Sequence, residues 1–242
     1  MRRLPSLTAL LALVATLAVV VTLTSLPATG PAAAQPSTAG STAASTAGST
    51  ASGTGEPAQP PATRAVVVRP VTSEGRPAPG WTTSRLSGSV TCDGAAPGAV
   101  DPRIAGCYPT AYGLQACWRS TGHTVLCVRD ARGRQLFRVR HEGRFPRGLQ
   151  APTEPTPVTL ALDGGRRCLS RVGGAWGAPP QHPDWIGYYS CTQGASVYGP
   201  PDLADGIDRT GDAWRVRLLL EEQGTLVRRH VRTVWYVGTA AA

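Results

Sequence analysis

The 242 residues contain no lysine and no asparagine, and only one methionine and two phenylalanines. Without lysine the chain lacks the amine that a P-loop, a Schiff base or pyridoxal chemistry requires, and it lacks the Ser-x-x-Lys nucleophile of penicillin-recognising enzymes. Arginine, alanine, glycine and proline are abundant instead, and each has codons that begin with two G or C bases. This composition is typical of a GC-rich genome, in which arginine stands where other proteins use lysine.

Catalytic motifs are also scarce. The sequence has no Gly-x-Ser-x-Gly nucleophile string and no spaced pair among its four histidines. The best candidate triad is His182 and Asp184 with Ser190, but the surrounding prolines favour a rigid loop over a catalytic one. We therefore predict no catalytic residue, no metal and no cofactor, and we keep a wall-directed hydrolase using His182 and Asp184 as an alternative.

The N-terminus has the order of a secretory signal. Arg2 and Arg3 precede an uncharged run, 4–26, and small residues follow it up to a predicted cleavage point after Ala34. The run approaches the ~20 residues that span a bilayer, so residues 1–34 remain either a cleaved signal or an uncleaved anchor. Both alternatives predict that the rest of the chain lies outside the cell.

Residues 35–63 consist almost entirely of Ser, Thr, Ala, Gly and Pro. Such a segment cannot bury enough apolar surface to offset the entropy of ordering it. We expect a disordered stalk with a reach of roughly 30 Å. The remainder, 64–242, is long enough for one domain with its own hydrophobic core.

All six cysteines lie in that domain, and an even number behind an export signal predicts three disulfides. Cys117 and Cys127 are symmetric about Gly122, so a hairpin that turns at 121–123 sets them opposite one another. For the other four cysteines the sequence offers no geometric argument, and neighbours are paired by default. The default pairs are Cys92 with Cys107 and Cys168 with Cys191.

Apolar alternation between turn residues predicts a mostly β domain with an antiparallel, sandwich-like sheet and little helix. Ten strands are predicted: 65–71, 86–92, 113–119, 124–129, 135–140, 158–162, 167–172, 186–191, 214–221 and 226–237. In the last of these, the pattern predicts one apolar face and one basic face. The apolar face comprises Val227, Val231, Trp235 and Val237, and the basic face Arg228, His230 and Arg232.

A weak internal similarity is also visible. The segments 117–137 and 168–198 each contain a cysteine, a glycine-containing turn, a second cysteine and then an apolar-aromatic pair. The pattern suggests a duplication but is loose.

Several strings together resemble a group of actinobacterial, mycobacterial-type exported proteins of unknown function. These strings are Gly113-Leu-Gln-Ala-Cys117, Val125-Leu-Cys127, Cys168 to Trp176, Gly187 to Cys191, Gly206-Ile-Asp208-Arg209 with Trp214, and Tyr236-Val-Gly-Thr239. The resemblance covers most of 113–239. It implies a secreted or envelope location, and it assigns no activity and no catalytic residue.

Charge placement is the sequence feature that points most directly to a function. From Arg64 onward there are 22 arginines against 14 acids, and seven of these arginines fall within 129–147. Arg134, Arg138 and Arg140 are predicted to share one strand face. If that strand lies beside the last strand, the two form a basic face for anionic partners, with Arg138, Arg140, Arg228, His230 and Arg232 as its binding residues. The alternative is that arginine is simply the solubilising cation.

The expected partners are anionic cell-wall polymers, lipid headgroups or acidic proteins. Nucleic acid is not expected for an exported protein, and membrane contact is expected only through an uncleaved N-terminus. The sequence therefore predicts a secreted, non-catalytic envelope-binding module.

Three further features have a possible functional interpretation. Asp208 and Arg209 form either a paired site or the anchor of a loop, and the anchor is favoured. Some aromatics line either a groove or the core, and the core is favoured. They are Trp176, Trp185, Tyr188 and Tyr189. The segment between Cys92 and Cys107 is the candidate loop of a secreted protease inhibitor.

Overall fold

A computed structural model describes residues 59–108, 114–171, 177–220 and 224–240. The predicted leader, 1–34, and nearly all of the predicted stalk lie outside these ranges. Residues 55–242 form one compact unit that is mostly β, as predicted, with a single short 3₁₀ turn at Asp163–Gly165 among the described residues. None of the described helical segments has the length and apolar character needed to cross a membrane.

The first half of the domain is a closed five-stranded barrel, which we call the first barrel. Adjacent strands of this barrel pair antiparallel, with one exception: β2 (Thr82–Ala95) and β6 (Gln135–His141) pair parallel. The exception is required because an odd number of alternating strands can close only with one parallel pair. The strands are β2 (Thr82–Ala95), β3 (Ala105–Tyr108), β4 (Cys117–Arg119), β5 (Thr124–Asp130) and β6 (Gln135–His141).

The remaining strands are β1, at the start of the domain, and the seven strands of its second half. They form an eight-stranded sheet in the order β1-β13-β7-β8-β9-β10-β12-β11. An additional pairing of β12 with β13 closes six of these strands into a ring, which we call the second barrel. The strands are β1 (Arg64–Val68), β7 (Thr159–Leu162), β8 (Arg167–Ser170), β9 (Ile186–Cys191), β10 (Ala195–Gly199), β11 (Ile207–Asp208), β12 (Arg215–Leu220) and β13 (Thr225–Val237).

The barrels share part of their hydrophobic core. One apolar cluster belongs to the first barrel and one to the second, while a third combines Leu126 and Leu136 of the first barrel with Val237 of β13. Both faces of β5 are therefore covered, and its residues Val125 to Val128 are all buried. Since burial of apolar surface is the main favourable term in folding, this common cluster binds the two barrels into one domain.

Strand β13 departs from the predicted alternation. Its pairing with β7 shifts register between Val231 and Thr233, so Arg232 is the extra residue of a β-bulge. Beyond the bulge the two faces exchange. Val234 joins Val231 in the core of the second barrel, whereas Trp235 and Val237 pack into the shared cluster. The prediction of one continuous apolar face from Val227 to Val237 is thus wrong.

All three predicted disulfides are present: Cys92–Cys107, Cys117–Cys127 and Cys168–Cys191. Each bridge joins residues that are register partners on neighbouring antiparallel strands. Three residues, 121–123, form the turn between Ser120 and Thr124, and this length sets Cys117 opposite Cys127. Gly122 and His123 both have positive φ in this turn.

The suspected duplication corresponds to a repeated topology. Strands β3 to β6 and β7 to β10 are each antiparallel meanders of four strands, with a disulfide between the second and third strands. The residues that face the bridges differ, however. Phe137 is the register partner of Cys127, whereas Ala195 is that of Cys191.

Candidate anion-binding surfaces

The structure separates the predicted binding residues into two groups. Arg138 and Arg140 lie on β6, whose neighbours are β2 and β5. Arg228, His230 and Arg232 lie on β13, whose neighbours are β1, β7 and β12. The two strands belong to different sheets, so the condition for a single basic face is not met. Two separate basic surfaces replace it.

The surface on the first barrel is built at an irregularity between β2 and β6. Arg85 is the register partner of Arg138, and Ser89 that of Arg140, so β2 carries two more residues than β6 over this stretch. The extra length lets β2 bulge outward beside a depression of about 880 Å³. Arg85, Arg138 and Arg140 line this depression together with His123 and His141.

The arginines of this depression lack a matching negative charge. Glu142 is the one acid that lines it, and its Oε1 accepts a hydrogen bond of 2.6 Å from the Ser89 hydroxyl. Arg138 donates to the hydroxyl oxygens of Ser120 and Thr124, at 3.0 and 3.3 Å, which fixes its guanidinium without neutralising it. In the described part of the chain, no ion pair involves any of the three arginines.

Arg134 is not part of this group. It was predicted to share a strand face with Arg138 and Arg140, but it lies in the turn before β6 with φ of 52°. The strand begins one residue later, so strand periodicity does not apply to it.

His141 is an unusual member of the lining. It is 7% exposed, its ring meets Phe145 edge to face at 5.7 Å between centroids, and its Nε2 has no hydrogen-bond partner among the described residues. Burial lowers the pKa of its imidazole, and the charges of His123 and Arg119 lower it further. A buried ring nitrogen without a partner is costly.

Two further depressions continue this surface. One, of about 360 Å³, shares His123 and His141 with the first and adds Arg119, Arg144 and Arg147. The next, of about 500 Å³, shares Arg119 and Arg147 and adds Arg103. We call the whole the basic track and define it by seven arginines with two histidines. They are Arg85, Arg103, Arg119, Arg138, Arg140, Arg144, Arg147, His123 and His141.

The far end of the track holds a second buried nitrogen without a partner. Trp118 lines the last depression and is 6% exposed, and its Nε1 donates to no acceptor in the described residues. Unsatisfied donors of this kind are uncommon in folded proteins. Two of them, His141 and Trp118, line one charged groove.

The surface on the second barrel is a row of three arginines and one histidine. On the β12–β13 hairpin, Arg217 is the register partner of Arg228, and Arg215 is that of His230. Side chains in such positions are direct neighbours, and like charges opposite one another are destabilising. We call these four residues the arginine ladder. Arg232 is exposed at the bulge and stands outside it.

The predicted pair of Asp208 and Arg209 does not form. Arg209 instead makes a two-pronged ion pair with the buried carboxylate of Asp205 and lies over the ring of Trp214, 4.8 Å from its centroid. Asp208 accepts hydrogen bonds from the backbone nitrogen and hydroxyl of Thr210. Arg209 thus anchors its loop, as favoured, but through Asp205.

The candidate triad is not assembled by hydrogen bonds. The ring of His182 stacks on Trp185 at 3.8 Å between centroids, and the Ser190 hydroxyl accepts a hydrogen bond from Arg171. No hydrogen bond joins His182 to Asp184 or Ser190 within the described ranges. A serine nucleophile requires such a link to its base, so the geometry does not favour the hydrolase alternative.

The aromatic residues are mainly structural. Tyr189 is fully buried in the second barrel, and its hydroxyl donates to the Pro157 carbonyl. Tyr188 is half-buried and donates to the Pro200 carbonyl, while Trp185 lies between His182 and Arg217 in contact with both. Trp176 lies outside the described residues.

The segment between Cys92 and Cys107 is largely part of the core. Ala96, Ala99 and Ile104 are buried in the shared cluster. A protease inhibitor needs an exposed, rigid loop, and this segment offers only a few exposed residues. The sulfur atoms of Cys107, Cys117 and Cys127 lie within 4.8 Å of one another, but disulfides occupy all three.

Comparison of the chain with protein-family models, with curated proteins and with solved structures finds no match.

Proposed function

We propose that the protein is exported and that its basic track binds a linear polyanion of the cell envelope, without catalysis. The single observation that carries this proposal is the track itself, in which seven arginines line three connected depressions and Glu142 is the one lining acid. Three disulfides support export, because disulfides form and persist in oxidising compartments.

The shape of the track favours an extended polymer over a single headgroup. The depressions share lining residues in succession, so a ligand that enters beside Arg85 meets Arg119 and then Arg103 along one path. A lone headgroup would occupy only one depression and leave most of the charge unmatched. Guanidinium groups bind phosphate through paired hydrogen bonds, which makes phosphate-bearing wall polymers the preferred class.

The test uses the oxidised full-length chain and long-chain inorganic polyphosphate, a linear polyanion of defined chemistry. Binding is measured by fluorescence anisotropy from roughly 50 to 500 mM salt, a range in which charge screening changes strongly. The variant Arg138→Gln/Arg140→Gln is compared with Arg132→Gln/Arg134→Gln, which removes the same charge from the neighbouring turn outside the track.

We expect the track variant to bind more weakly at every salt concentration. Each lost phosphate contact reduces the slope of log K against log salt by about 0.7 to 0.9, so the double variant should reduce it by about 1.5. The turn variant should change the slope by much less. Equal effects of both variants would show that only net charge matters, and binding that is independent of salt would also refute the proposal.

A further inference from the structure

The arginine ladder borders a small cavity of its own. This cavity measures about 260 Å³ and is lined by Arg215, Arg217 and Arg228 together with two acids, Asp202 and Asp208. Ligand pockets for drug-sized molecules begin at about 300 Å³, so the cavity fits a smaller molecule. Its mixture of charges contrasts with the nearly uniform charge of the basic track.

Two cations of the cavity are opposite one another on the β12–β13 hairpin. Arg217 and Arg228 are direct cross-strand neighbours, and no ion pair involves either of them in the described part of the chain. The guanidinium of Arg217 is also held in place, since it lies over the ring of Trp185 at 5.0 Å from the centroid. Two arginines in opposite positions on neighbouring strands are suited to bind one anionic group together.

The acids of the cavity restrict which ligand can bind there. Asp208 lies on β11 as the register partner of Arg215. Hydrogen bonds from the side chain and backbone of Thr210 lower the pKa of the Asp208 carboxyl, so it is ionised at neutral pH. Both of those bonds end on Oδ1, and Oδ2 accepts none from the described residues. An ionised oxygen in this position accepts hydrogen bonds from ligand hydroxyl groups.

We infer that this cavity is a second binding site, separate from the basic track, for a compact ligand that carries one carboxylate beside several hydroxyl groups, as an acidic monosaccharide does. The carboxylate lies against Arg217 and Arg228, and the hydroxyl groups donate to Asp208. A small inorganic anion such as phosphate offers fewer donors and is repelled by the acids. A neutral sugar lacks the anionic group, so the site distinguishes the ligand from both.

The inference is tested on the ¹⁵N-labelled, oxidised full-length chain with three probes: glucuronate, glucose and inorganic phosphate. The reporter is the indole N–H signal of Trp185, which contacts Arg217. Glucuronate should shift this signal in a saturable way at low salt, with a dissociation constant in the millimolar range. Glucose should not shift it. Absence of a saturable shift with glucuronate would overturn the inference.

Two substitutions test the contributions of the cations and of the acid to binding one at a time. Arg228→Gln should weaken glucuronate binding at least tenfold. Asp208→Asn retains the Oδ1 acceptor for Thr210 and should weaken glucuronate binding several-fold, while it strengthens phosphate binding because a repelling charge is removed. If Asp208→Asn strengthens both ligands alike, the site is a simple anion site and the inference fails.

Two controls isolate the site from its surroundings. Arg232→Gln removes a charge from the same strand but outside the cavity, and it should leave glucuronate binding unchanged. The track variant Arg138→Gln/Arg140→Gln should do the same. If the track variant abolishes glucuronate binding, the ligand lies in the track and the second site is refuted, whatever the outcome of the polyphosphate experiment.

Discussion

An ion pair between Asp130 and Arg167 connects the two barrels. Arg167 Nη1 on β8 lies 2.8 Å from Asp130 Oδ2 on β5, and the Asp130 side chain is 5% exposed while that of Arg167 is 37% exposed. Asp130 Oδ1 also accepts a hydrogen bond from the backbone nitrogen of Gly133. We predict that this pair contributes measurably to the stability of the whole domain.

The expected loss in the free energy of unfolding follows from the unequal burial of the two side chains. Exposed pairs contribute about 0.2 to 1 kcal/mol, and breaking a fully buried pair costs about 3 to 5 kcal/mol. Because only Asp130 is buried, Arg167→Gln should cost about 2 kcal/mol by leaving its carboxylate without a counter-charge. Asp130→Asn retains the acceptor for Gly133 and should cost about 1 to 2 kcal/mol, since the freed arginine reaches water.

A double-mutant cycle in urea measures the coupling, which we expect to be about 1 to 2 kcal/mol. Arg69 and Asp101 provide the matched control, because their atoms are 3.9 Å apart and their side chains 47% and 31% exposed. The control cycle should give less than about 0.5 kcal/mol. A coupling for Asp130 and Arg167 no larger than that of the control would refute the reasoning, and the barrels would then depend on apolar contact alone.

Three further predictions concern other parts of the domain. Replacing Cys168 and Cys191 by alanine should lower the free energy of unfolding by about 3.4 kcal/mol. This is the chain-entropy value for a loop whose cysteines are 23 residues apart. A loss below about 1 kcal/mol in urea unfolding would contradict the prediction. Gly206→Ala should lower the free energy of unfolding by at least about 2 kcal/mol, because φ is +71° and the new Cβ would lie 2.6 Å from Tyr188 Cδ2. An unchanged melting temperature would show that the loop adapts. Polyphosphate binding should tighten as pH falls from the pKa of His141 in the complex toward its lowered pKa in the free protein, because the bound anion favours the charged imidazole. A His141→Gln variant with the same pH profile would exclude this histidine.

The pKa of His141 has a consequence for stability as well. Its folded-state pKa lies below the unfolded value, so the unfolded chain takes up the proton first as pH falls through about 6.5. The stability of the ligand-free domain should therefore decrease in the window between the unfolded and the folded pKa, and His141→Gln should reduce this decrease. Urea unfolding at a series of pH values measures the effect, and identical profiles for the two proteins would contradict it.

The features that were predicted correctly are local. The turn at 121–123 and the bridge from Cys117 to Cys127 follow from spacing along one hairpin. All ten predicted strands appear, most with small changes at their ends, but β2 is twice the predicted length and β4 begins only at Cys117. Strands β3, β10 and β11 were not predicted. Strand β11 has only two residues, and β3 and β10 are short, rich in small residues and almost wholly buried, so neither of them alternates between apolar and polar positions.

The features that could not be predicted depend on distant contacts. Nothing near Arg232 in the sequence signals the bulge that exchanges the faces of β13. The separation of Arg138 and Arg228 onto different sheets follows from strand order, which residue patterns do not specify. The basic track likewise requires Arg85 beside Arg138, and that neighbourhood exists only because β2 and β6 close the first barrel.

The parallel pairing of β1 with β13 affects the order in which the domain can be made. Arg64 to Val68, the first of the described strands, pairs with Thr233 to Val237 of β13, and Val237 also fills the shared cluster. Many proteins fold from the N-terminus during synthesis. Here β1 must wait for β13, so the domain can reach its final form only after Val237 has been made, and a chain that lacks β13 would leave the second barrel open and the shared cluster without Val237.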